Sequence, residues 1–269
     1  MNILSIKWRN LQITKNMNDN ILGSIQCTLS CEKMNYKKAS DFQGVLFTQV
    51  ESEYVDYLHK EQLHPYSQYI YEENGTWYWK VNTLNTEAYE KLIEPLLKSN
   101  FTSFNIANGN IDVEVTKKEV TTRTYDDLMH DFYNRPASKG IDLNIKTYTA
   151  FKQRGKYNIT PDLRLIFQSL MMKYSMILDN VNMEDEETLE QLFMNSFVSK
   201  YRLRSGGFPL EGRVIPGFIG NMSIKYFGSE TMMRYIRLLF EFGEYSGIGI
   251  KTGMGMGAIA ICKEDASDR

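Results

Sequence analysis

The sequence has little cysteine and no long apolar run among its 269 residues. Its three cysteines, Cys27, Cys31 and Cys262, are too few for a disulfide framework, and their odd number suits a reducing compartment. Cys27 and Cys31 have no second Cys or His pair at zinc-finger spacing, so we expect no metal site. Lys7 and Arg9 interrupt the apolar residues near the start, and no run approaches the ~18 residues of a membrane span. We therefore expect a soluble cytoplasmic protein.

The sequence also lacks a strong excess of either charge. It has 31 basic and 33 acidic residues, which leave a formal net charge of −2. This balance excludes a uniformly basic coat of the kind that wraps nucleic acid, although it is compatible with a local basic face. With 42% hydrophobic residues, the composition is that of a globular chain that can bury a core without disulfides.

The apolar patterns predict the order strand, helix, hairpin, helix, strand, and they predict it twice. This βαββαβ order is typical of a ferredoxin-like (RRM-like) domain. We therefore predict an α+β chain with two tandem ferredoxin-like domains, at 1–120 and 140–269, joined by a polar linker at 121–139. The elements predicted for the first domain are a strand at Met1–Arg9, a weak strand or loop at Ile21–Ser30, a helix at Ala39–Leu58, a hairpin of Tyr66–Tyr71 and Thr76–Val81 with Asn74-Gly75 at its tip, a helix at Thr86–Lys98 and a strand at Ile111–Val120. Those predicted for the second domain are a strand at Ile141–Tyr148, a helix at Asp162–Leu178, strands at Phe197–Leu203 and Gly217–Phe227, a helix at Ser229–Phe242 and a strand at Ala258–Cys262.

The densest motif is a glycine-rich segment, Gly247–Gly257, near the end of the sequence. Its glycines let backbone N–H groups approach a phosphate, while Lys251 adds a charge and Thr252 a hydroxyl. Lys251 follows Ile250 rather than a glycine, and the segment follows a helix rather than a strand. It is therefore neither a P-loop nor a dinucleotide-binding turn, and we expect no cofactor. A phosphate-binding loop and a tight turn remain equally good explanations. The candidate phosphate-binding residues of the segment are Gly249, Lys251, Thr252, Gly253 and Gly255.

Basic residues concentrate in the second half of the chain. One group follows the strand at Ile141–Tyr148, and another alternates along the strand at Phe197–Leu203, so that its members share one face. Such groups suit a phosphate backbone, although a solvated strand face has the same pattern. The candidate RNA-binding residues of the two groups are Lys152, Arg154 and Lys156, and Lys200, Arg202 and Arg204.

Two histidines near the end of the first predicted helix are candidates for proton transfer. His59 lies at the predicted helix C-terminus, where the helix dipole favours the protonated imidazole, and His64 follows five residues later. Lys60 is a candidate for stabilising negative charge on a phosphate. An exposed or capping histidine without a catalytic role fits the same pattern.

Several of these motifs together resemble the CRISPR-associated repeat-RNA endoribonucleases of the RAMP superfamily. The glycine-rich segment resembles the C-terminal loop of that family, and further stretches match in the same order over most of the chain. These stretches are Phe42–Leu46, Tyr57–His59, Thr149–Lys152, Gly155–Tyr157, Pro161–Leu163 and Ile215–Gly220.

The resemblance implies two ferredoxin-like domains and a metal-independent endoribonuclease that cleaves CRISPR repeat RNA in precursor transcripts to generate guide RNA. In the family, the ribose 2′-OH attacks the adjacent phosphate and leaves a 2′,3′-cyclic phosphate and a 5′-OH. The histidine that follows the first helix of the family matches His59, as general acid or base. Phe47 stands where some members have a tyrosine, and it has no hydroxyl for proton transfer. His64 is a candidate for that role, Lys60 matches the lysine that some members use, and a mechanism without a second group stays open.

Other functions stay open from the sequence. The chief alternative is a non-catalytic RNA-binding RAMP subunit that holds guide RNA in an effector complex. An assembly protein whose glycine-rich segment only makes a turn is another, and a metal-dependent nuclease is a remote one. The expected partners are CRISPR repeat RNA and guide RNA, with a CRISPR effector complex and a homodimer left open and no membrane.

Overall fold

A computed structural model describes residues 20–61, 63–175 and 185–262 of the chain. The strand predicted at Met1–Arg9 lies outside these residues. Two short α-helices flank a single π-helical turn in the second helical region of the first half. The elements of the first half are β1 (Ile21–Ser30), α1 (Asp41–Phe47), α2 (Ser52–Lys60), β2 (Tyr66–Glu73), β3 (Thr76–Thr83), α3 (Thr86–Ala88), the π-helical turn (Tyr89–Ile93), α4 (Glu94–Leu97), β4 (Ser103–Ile106), β5 (Ile111–Thr124) and α5 (Tyr125–Asn134).

Strand β1 is central to the first sheet, whose strands have the order β2-β3-β1-β5-β4. The stretch Ile21–Ser30, for which a strand and a loop were both considered, is therefore a full strand. Every second side chain of the strand points into the core beneath the helices, and the buried ones include Ile25, Cys27 and Leu29. Its pairing with β3 and β5 is antiparallel on both sides, as in a ferredoxin-like sheet.

The helix predicted at Ala39–Leu58 is two helices, α1 and α2. Helix α1 ends because the Thr48 hydroxyl donates to the carbonyl of Val45 at 2.7 Å, and Glu51 adopts an extended conformation with ψ of 137°. The apolar pattern nevertheless continues across the break, since both helices bury their apolar side chains in the same core. The prediction of a single helix was therefore wrong.

The hairpin of the first half and the helix that follows it were predicted correctly in type. Asn74 and Gly75 have φ values of 51° and 78°, which fit the tight turn that an Asn-Gly pair favours. In the helical region at Thr86–Lys98, the Glu94 N–H donates to the carbonyl of Tyr89 in a π-helical turn just before Pro95. The short strand β4 was not predicted.

The segment 121–139, predicted to be a polar linker, contains the end of β5 and helix α5. Thr124 and Asp127 form a reciprocal capping box at the start of α5. Leu128 and Phe132 recur at a spacing of four residues and are buried. The capping box and this spacing are both readable in the sequence, so the absence of a helix from the linker prediction was an error. The division into domains at this segment stays a prediction.

The second half repeats the strand order of the first. Its four-stranded sheet has the order β11-β6-β10-β9, and β7 and β8 form a separate two-stranded hairpin. Both sheets have the antiparallel order of a ferredoxin-like fold, so the α+β fold class is confirmed. The elements are β6 (Gly140–Thr149), β7 (Phe151–Gln153), β8 (Lys156–Asn158), α6 (Leu163–Ser175), α7 (Glu186–Met194), β9 (Ser196–Leu210), β10 (Arg213–Tyr226), α8 (Glu230–Ser246), a 3-10 turn (Thr252–Met254) and β11 (Ile259–Ile261).

The long hairpin β9–β10 includes residues that the sequence analysis left between two shorter strands. Gly206 lies in β9, and a side chain there would collide with Tyr148, because a Cβ at Gly206 would be 2.3 Å from the Tyr148 hydroxyl oxygen. The tight turn of the hairpin is at Glu211 and Gly212, both with positive φ. Glycine in this stretch therefore accommodates close packing inside a strand rather than ending it.

The two halves pack together through helix α8, whose outer face contacts the first sheet. The carboxylate of Glu241 lies in this contact and accepts hydrogen bonds from Arg123 at 3.2 Å and Arg135 at 2.6 Å. Arg237 on the same helix lies 3.7 Å from it, and both side chains are 8% exposed. The negative charge of Glu241 and the positive charges of the arginines offset one another, which lowers the free-energy cost of burying them.

We expect Glu241→Gln to lower the free energy of unfolding by about 2 kcal/mol, because it removes the carboxylate beside the buried Arg237 and leaves Asp131 as the remaining acidic partner of Arg123 and Arg135. Denaturant unfolding at neutral pH measures the difference. Glu230→Gln is the matched control, since that carboxylate also pairs with an arginine but is 63% exposed, and its change should stay within about 0.5 kcal/mol. Equal effects of the two variants would contradict the assigned role of Glu241.

Candidate active site

His59 lies in the last turn of helix α2 and is exposed. The helix ends there because Glu61 is extended, and the Glu61 N–H donates to the carbonyl of Tyr57 at 3.3 Å. The ring of Phe47 meets the His59 ring edge to face, with centroids 5.5 Å apart. The aromatic position beside His59 therefore has no hydroxyl in this chain.

His64 lies close to the same aromatic cluster. Its ring centroid is 5.6 Å from that of Tyr66, which in turn lies 6.2 Å from Phe47. The His64 Nδ1 atom is buried and has no hydrogen-bond partner among the described residues. Burial, followed by the positive charge of Lys251 and then by His59, lowers the pKa of His64 below its ordinary value of 6.5. His64 is therefore neutral at neutral pH.

Tyr66 is the hydroxyl-bearing ring of the cluster, and the sequence analysis did not single it out. It begins strand β2 and is fully buried, and its hydroxyl accepts a hydrogen bond from Gln43 Nε2 at 2.8 Å. Burial raises the pKa of Tyr66 above its ordinary value. No spacing signal marks Gln43 and Tyr66 as partners, because their contact joins α1 to a strand 23 residues away. Tyr66 supports the cluster from behind Phe47 rather than from an exposed surface.

The glycine-rich segment reaches this cluster from the second half of the chain. A Cβ at Gly253 would lie 3.0 Å from the Tyr66 hydroxyl oxygen, and one at Gly255 would lie 2.9 Å from the Cβ of Ala39. Lys251 is exposed and adopts the left-handed conformation with φ of 58°. The segment thus brings one cation from the second half close enough to affect the pKa of a histidine in the first.

The other candidate residues of the segment are packed into the protein. Thr252, Gly253 and Gly255 are buried, and Gly249 is partly buried. A Cβ at Gly249 would lie 2.3 Å from the carbonyl oxygen of Ala150, which only glycine avoids. Within the fully described segment 247–257, Lys251 alone is exposed. The segment is therefore a closely packed turn that displays one charged side chain, and its binding of phosphate stays a prediction.

The first basic group lies on a small hairpin beside the glycine-rich segment. Lys152 is on β7, Lys156 is on β8, and Arg154 is at the turn with φ of 50°. All three are exposed. The hairpin joins the segment at its base, where the Ile250 N–H donates to the carbonyl of Ala150 at 3.0 Å. The structure therefore brings this group and Lys251 to neighbouring parts of the second half.

The second basic group lies apart, on the edge strand β9 of the second sheet. Lys200, Arg202 and Arg204 are exposed, and they pair in register with alternate residues of β10, so they share one face as predicted. No contact brings them to the His59 cluster within the described chain. Lys60 is exposed next to His59 in the last turn of α2.

Neither a metal cluster nor a membrane-spanning helix is found in the described part of the chain. No group of three or more His, Cys, Asp and Glu side chains there has the arrangement to hold a metal ion. Across residues 20–61, 63–175 and 185–262, no helix has both the length and the apolar character to span a bilayer.

Comparison with known proteins identifies the family. The family described as CRISPR-associated endoribonuclease Cas6 matches residues 143–259. A protein so described from Streptococcus thermophilus is 35% identical over 223 residues, which cover 83% of this chain and 90% of that protein. Another from Mycobacterium tuberculosis (strain ATCC 25618 / H37Rv) is 35% identical over 219 residues, covering 81% and 69% respectively. A solved Cas6 product complex superposes with a TM-score of 0.76 at 20% identity, over 90% of this chain and 100% of that one, and shares its fold. The chain belongs to the CRISPR-associated endoribonuclease Cas6 family.

Proposed function

We propose that this chain cleaves CRISPR repeat RNA in precursor transcripts without a metal ion and so generates guide RNA. The observation that carries the proposal is the joint placement of exposed His59, neutral His64 and exposed Lys251, contributed by both halves of the chain. Proton transfer and charge stabilisation, the two requirements of RNA transesterification, are then available from side chains alone.

In the proposed reaction the ribose 2′-OH attacks the adjacent phosphorus and the bond to the 5′-oxygen breaks. The products are a 2′,3′-cyclic phosphate and a 5′-OH, and one proton moves from the attacking to the leaving oxygen. His59 is exposed and serves as general acid or base. Lys251 carries a positive charge near the histidines, where it can stabilise the phosphorane as charge builds up. Lys60, beside His59, is a second candidate for that role.

The second proton carrier is the open part of this mechanism. Phe47 has no hydroxyl, and the hydroxyl of Tyr66 is buried and bound by Gln43. His64 is the remaining candidate in the cluster, and because its lowered pKa favours the neutral imidazole, its unprotonated ring nitrogen can accept a proton. This assignment makes His64 the base and His59 the acid.

RNA binding is proposed to use the basic groups described above. Lys251 and the hairpin residues Lys152, Arg154 and Lys156 lie in neighbouring parts of the second half, and the β9 group would contact a more distant part of the RNA. Gly249, Thr252, Gly253 and Gly255 would act by shaping the segment rather than by touching RNA, because they are wholly or partly buried. Transfer of guide RNA to an effector complex, and a homodimer, stay predictions.

Phe47 favours one second candidate function, an RNA-binding subunit that holds guide RNA without cutting it. A ring without a hydroxyl beside His59 removes one means of proton transfer. The two candidates differ in whether the loss of His59 changes the fate of bound RNA.

We expect His59→Ala to lower the single-turnover cleavage rate of repeat RNA by about 10²–10⁴-fold, the usual contribution of one positioned acid or base. RNA affinity should change little, because the imidazole is not part of the basic groups. Gel analysis of labelled repeat RNA measures the rate. His130→Ala is the matched control, since His130 is also an exposed helical histidine and should leave the rate unchanged. Wild-type cleavage by His59→Ala would refute the assignment.

We expect the wild-type chain to cleave repeat RNA in EDTA at the same rate as in buffer with magnesium. Mass spectrometry of the products should show a 2′,3′-cyclic phosphate and a 5′-OH at a single cut. Loss of cleavage in EDTA, with recovery on adding metal, would overturn the metal-independent mechanism. Tight binding without a cut in either buffer would instead favour the RNA-holding subunit.

We expect His64→Gln to reduce the loss of stability on acidification. The pKa of His64 is lowered in the folded chain, so below about pH 6.5 the unfolded chain binds a proton that the folded chain does not. This makes stability fall as pH drops from the unfolded pKa toward the folded one. Urea unfolding at about pH 7.5 and about pH 5.5 measures the loss for wild type, His64→Gln and the exposed control His130→Gln. A loss in His64→Gln as large as in the other two would show that His64 is not held neutral.

A further inference from the structure

Helix α6 lies against the glycine-rich segment and contacts it at two residues spaced by four. The Ser169 hydroxyl accepts a hydrogen bond from the Gly249 N–H at 2.8 Å. One turn later, the Lys173 ammonium donates to the carbonyls of Ser246 at 3.2 Å and Gly247 at 3.0 Å. A spacing of four places both side chains on the same face of the helix. Helix α6 therefore contacts both the start and the interior of the segment.

Lys173 is an unusual residue for such a position, because it is only 6% exposed. Burial alone lowers the pKa of Lys173 to about 7, and no acidic side chain offsets this effect. Its partners are backbone carbonyls at the C-terminus of α8 and, at 3.5 Å, the hydroxyl of Thr252. A lysine amino group can donate hydrogen bonds to these oxygens in both its charged and its neutral form. A methionine of similar length would fill the same space at a lower desolvation cost. The hydrogen bonds, rather than the volume of the side chain, therefore explain why a lysine is present.

The contacts of Lys173 lie directly beside the exposed Lys251. Thr252, which Lys173 contacts, follows Lys251, and Ile250, which precedes it, is held by the carbonyl of Ala150. The carbonyl of Lys251 itself accepts from the N–H groups of Met254 and Met256 at 3.0 and 3.2 Å. Lys251 is therefore fixed in its left-handed conformation by its neighbours on both sides.

We propose that Lys173 is a positioning residue for RNA binding, which holds the glycine-rich segment so that Lys251 faces an RNA phosphate. This inference rests on the proposed function, because it requires the chain to bind repeat RNA. Lys173 is buried beneath the segment and acts on RNA only through it. Its loss should therefore weaken RNA binding in the same way as the loss of Lys251, although only Lys251 is exposed.

The test compares RNA affinity over a range of salt concentrations for wild type, Lys173→Met, Lys251→Met and the double variant. The probe is repeat RNA with a 2′-deoxyribose at the cleavage site, which cannot be cut. We expect each single variant to bind about tenfold more weakly and to reduce the slope of log affinity against log salt by about 0.7 to 0.9, the effect of one lost phosphate contact. The double variant should be no weaker than Lys251→Met, because both remove the same contact. Lys98→Met, an exposed lysine outside the RNA-binding groups, should match wild type.

The outcomes separate the inference from the proposed function. An unchanged affinity or salt slope in Lys173→Met, or additive losses in the double variant, would overturn the inference while leaving the proposed function intact. A wild-type chain that does not bind repeat RNA would overturn both. Circular dichroism and thermal unfolding monitor the fold of each variant. If Lys173→Met does not fold, Ser169→Ala decides, since it removes the other contact of α6 with the segment and should also weaken binding and reduce the salt slope.

Discussion

The buried C-terminus of helix α8 is the constraint on which the rest of the structure depends. The last carbonyls of a helix have no partners within it, and burial makes unpaired ones costly. Here the carbonyl of Glu244 accepts from Asn82 at 3.4 Å, and that of Tyr245 accepts from Ser67 at 2.6 Å. The next two carbonyls accept from Lys173. The first sheet and helix α6 thus satisfy one helix end together, and this joint contact fixes how the two halves meet.

The glycine-rich segment continues from that helix end, so its path follows from the same contact. A Cβ at Gly257 would lie 2.0 Å from the carbonyl oxygen of Ile248, which means that the segment folds back on itself at backbone distance. This close return directs the middle of the segment toward Tyr66 in the first half. The candidate active site is consequently built from both halves: the histidines come from the first, and Lys251 comes from the second. Lys251 is thus the cation that the second half adds to the surroundings of His64.

The sequence could predict features that depend on local pattern, but it could not predict those that depend on contacts between distant residues. The repeated element order, the Asn74-Gly75 turn and the basic stripe of β9 follow from spacing alone, and the structure bears them out. Strand β1 was left undecided because it is buried within a sheet, where a mixed sequence masks the alternation. The burial of Thr252 and Gly253 and the contact between Gln43 and Tyr66 join residues far apart in the chain. No local pattern encodes such contacts, so the sequence could propose candidate residues for the site but could not predict which of them are exposed.

The nearly balanced charge of the chain is consistent with RNA binding because its charges have different surroundings. Glu241 at the contact between the halves is surrounded by Arg123, Arg135 and Arg237. These three arginines stabilise the fold, and their charges are already paired with an acidic side chain. The exposed cations of the β7–β8 hairpin and of β9 form no ion pair with an acidic side chain within the described residues, so their field is not cancelled locally. The net charge of the whole chain sums the paired and the unpaired cations, so it does not reveal the exposed, unpaired ones. The proposed binding surface depends instead on which cations are exposed and without acidic partners, and that distinction arises only when the chain has folded.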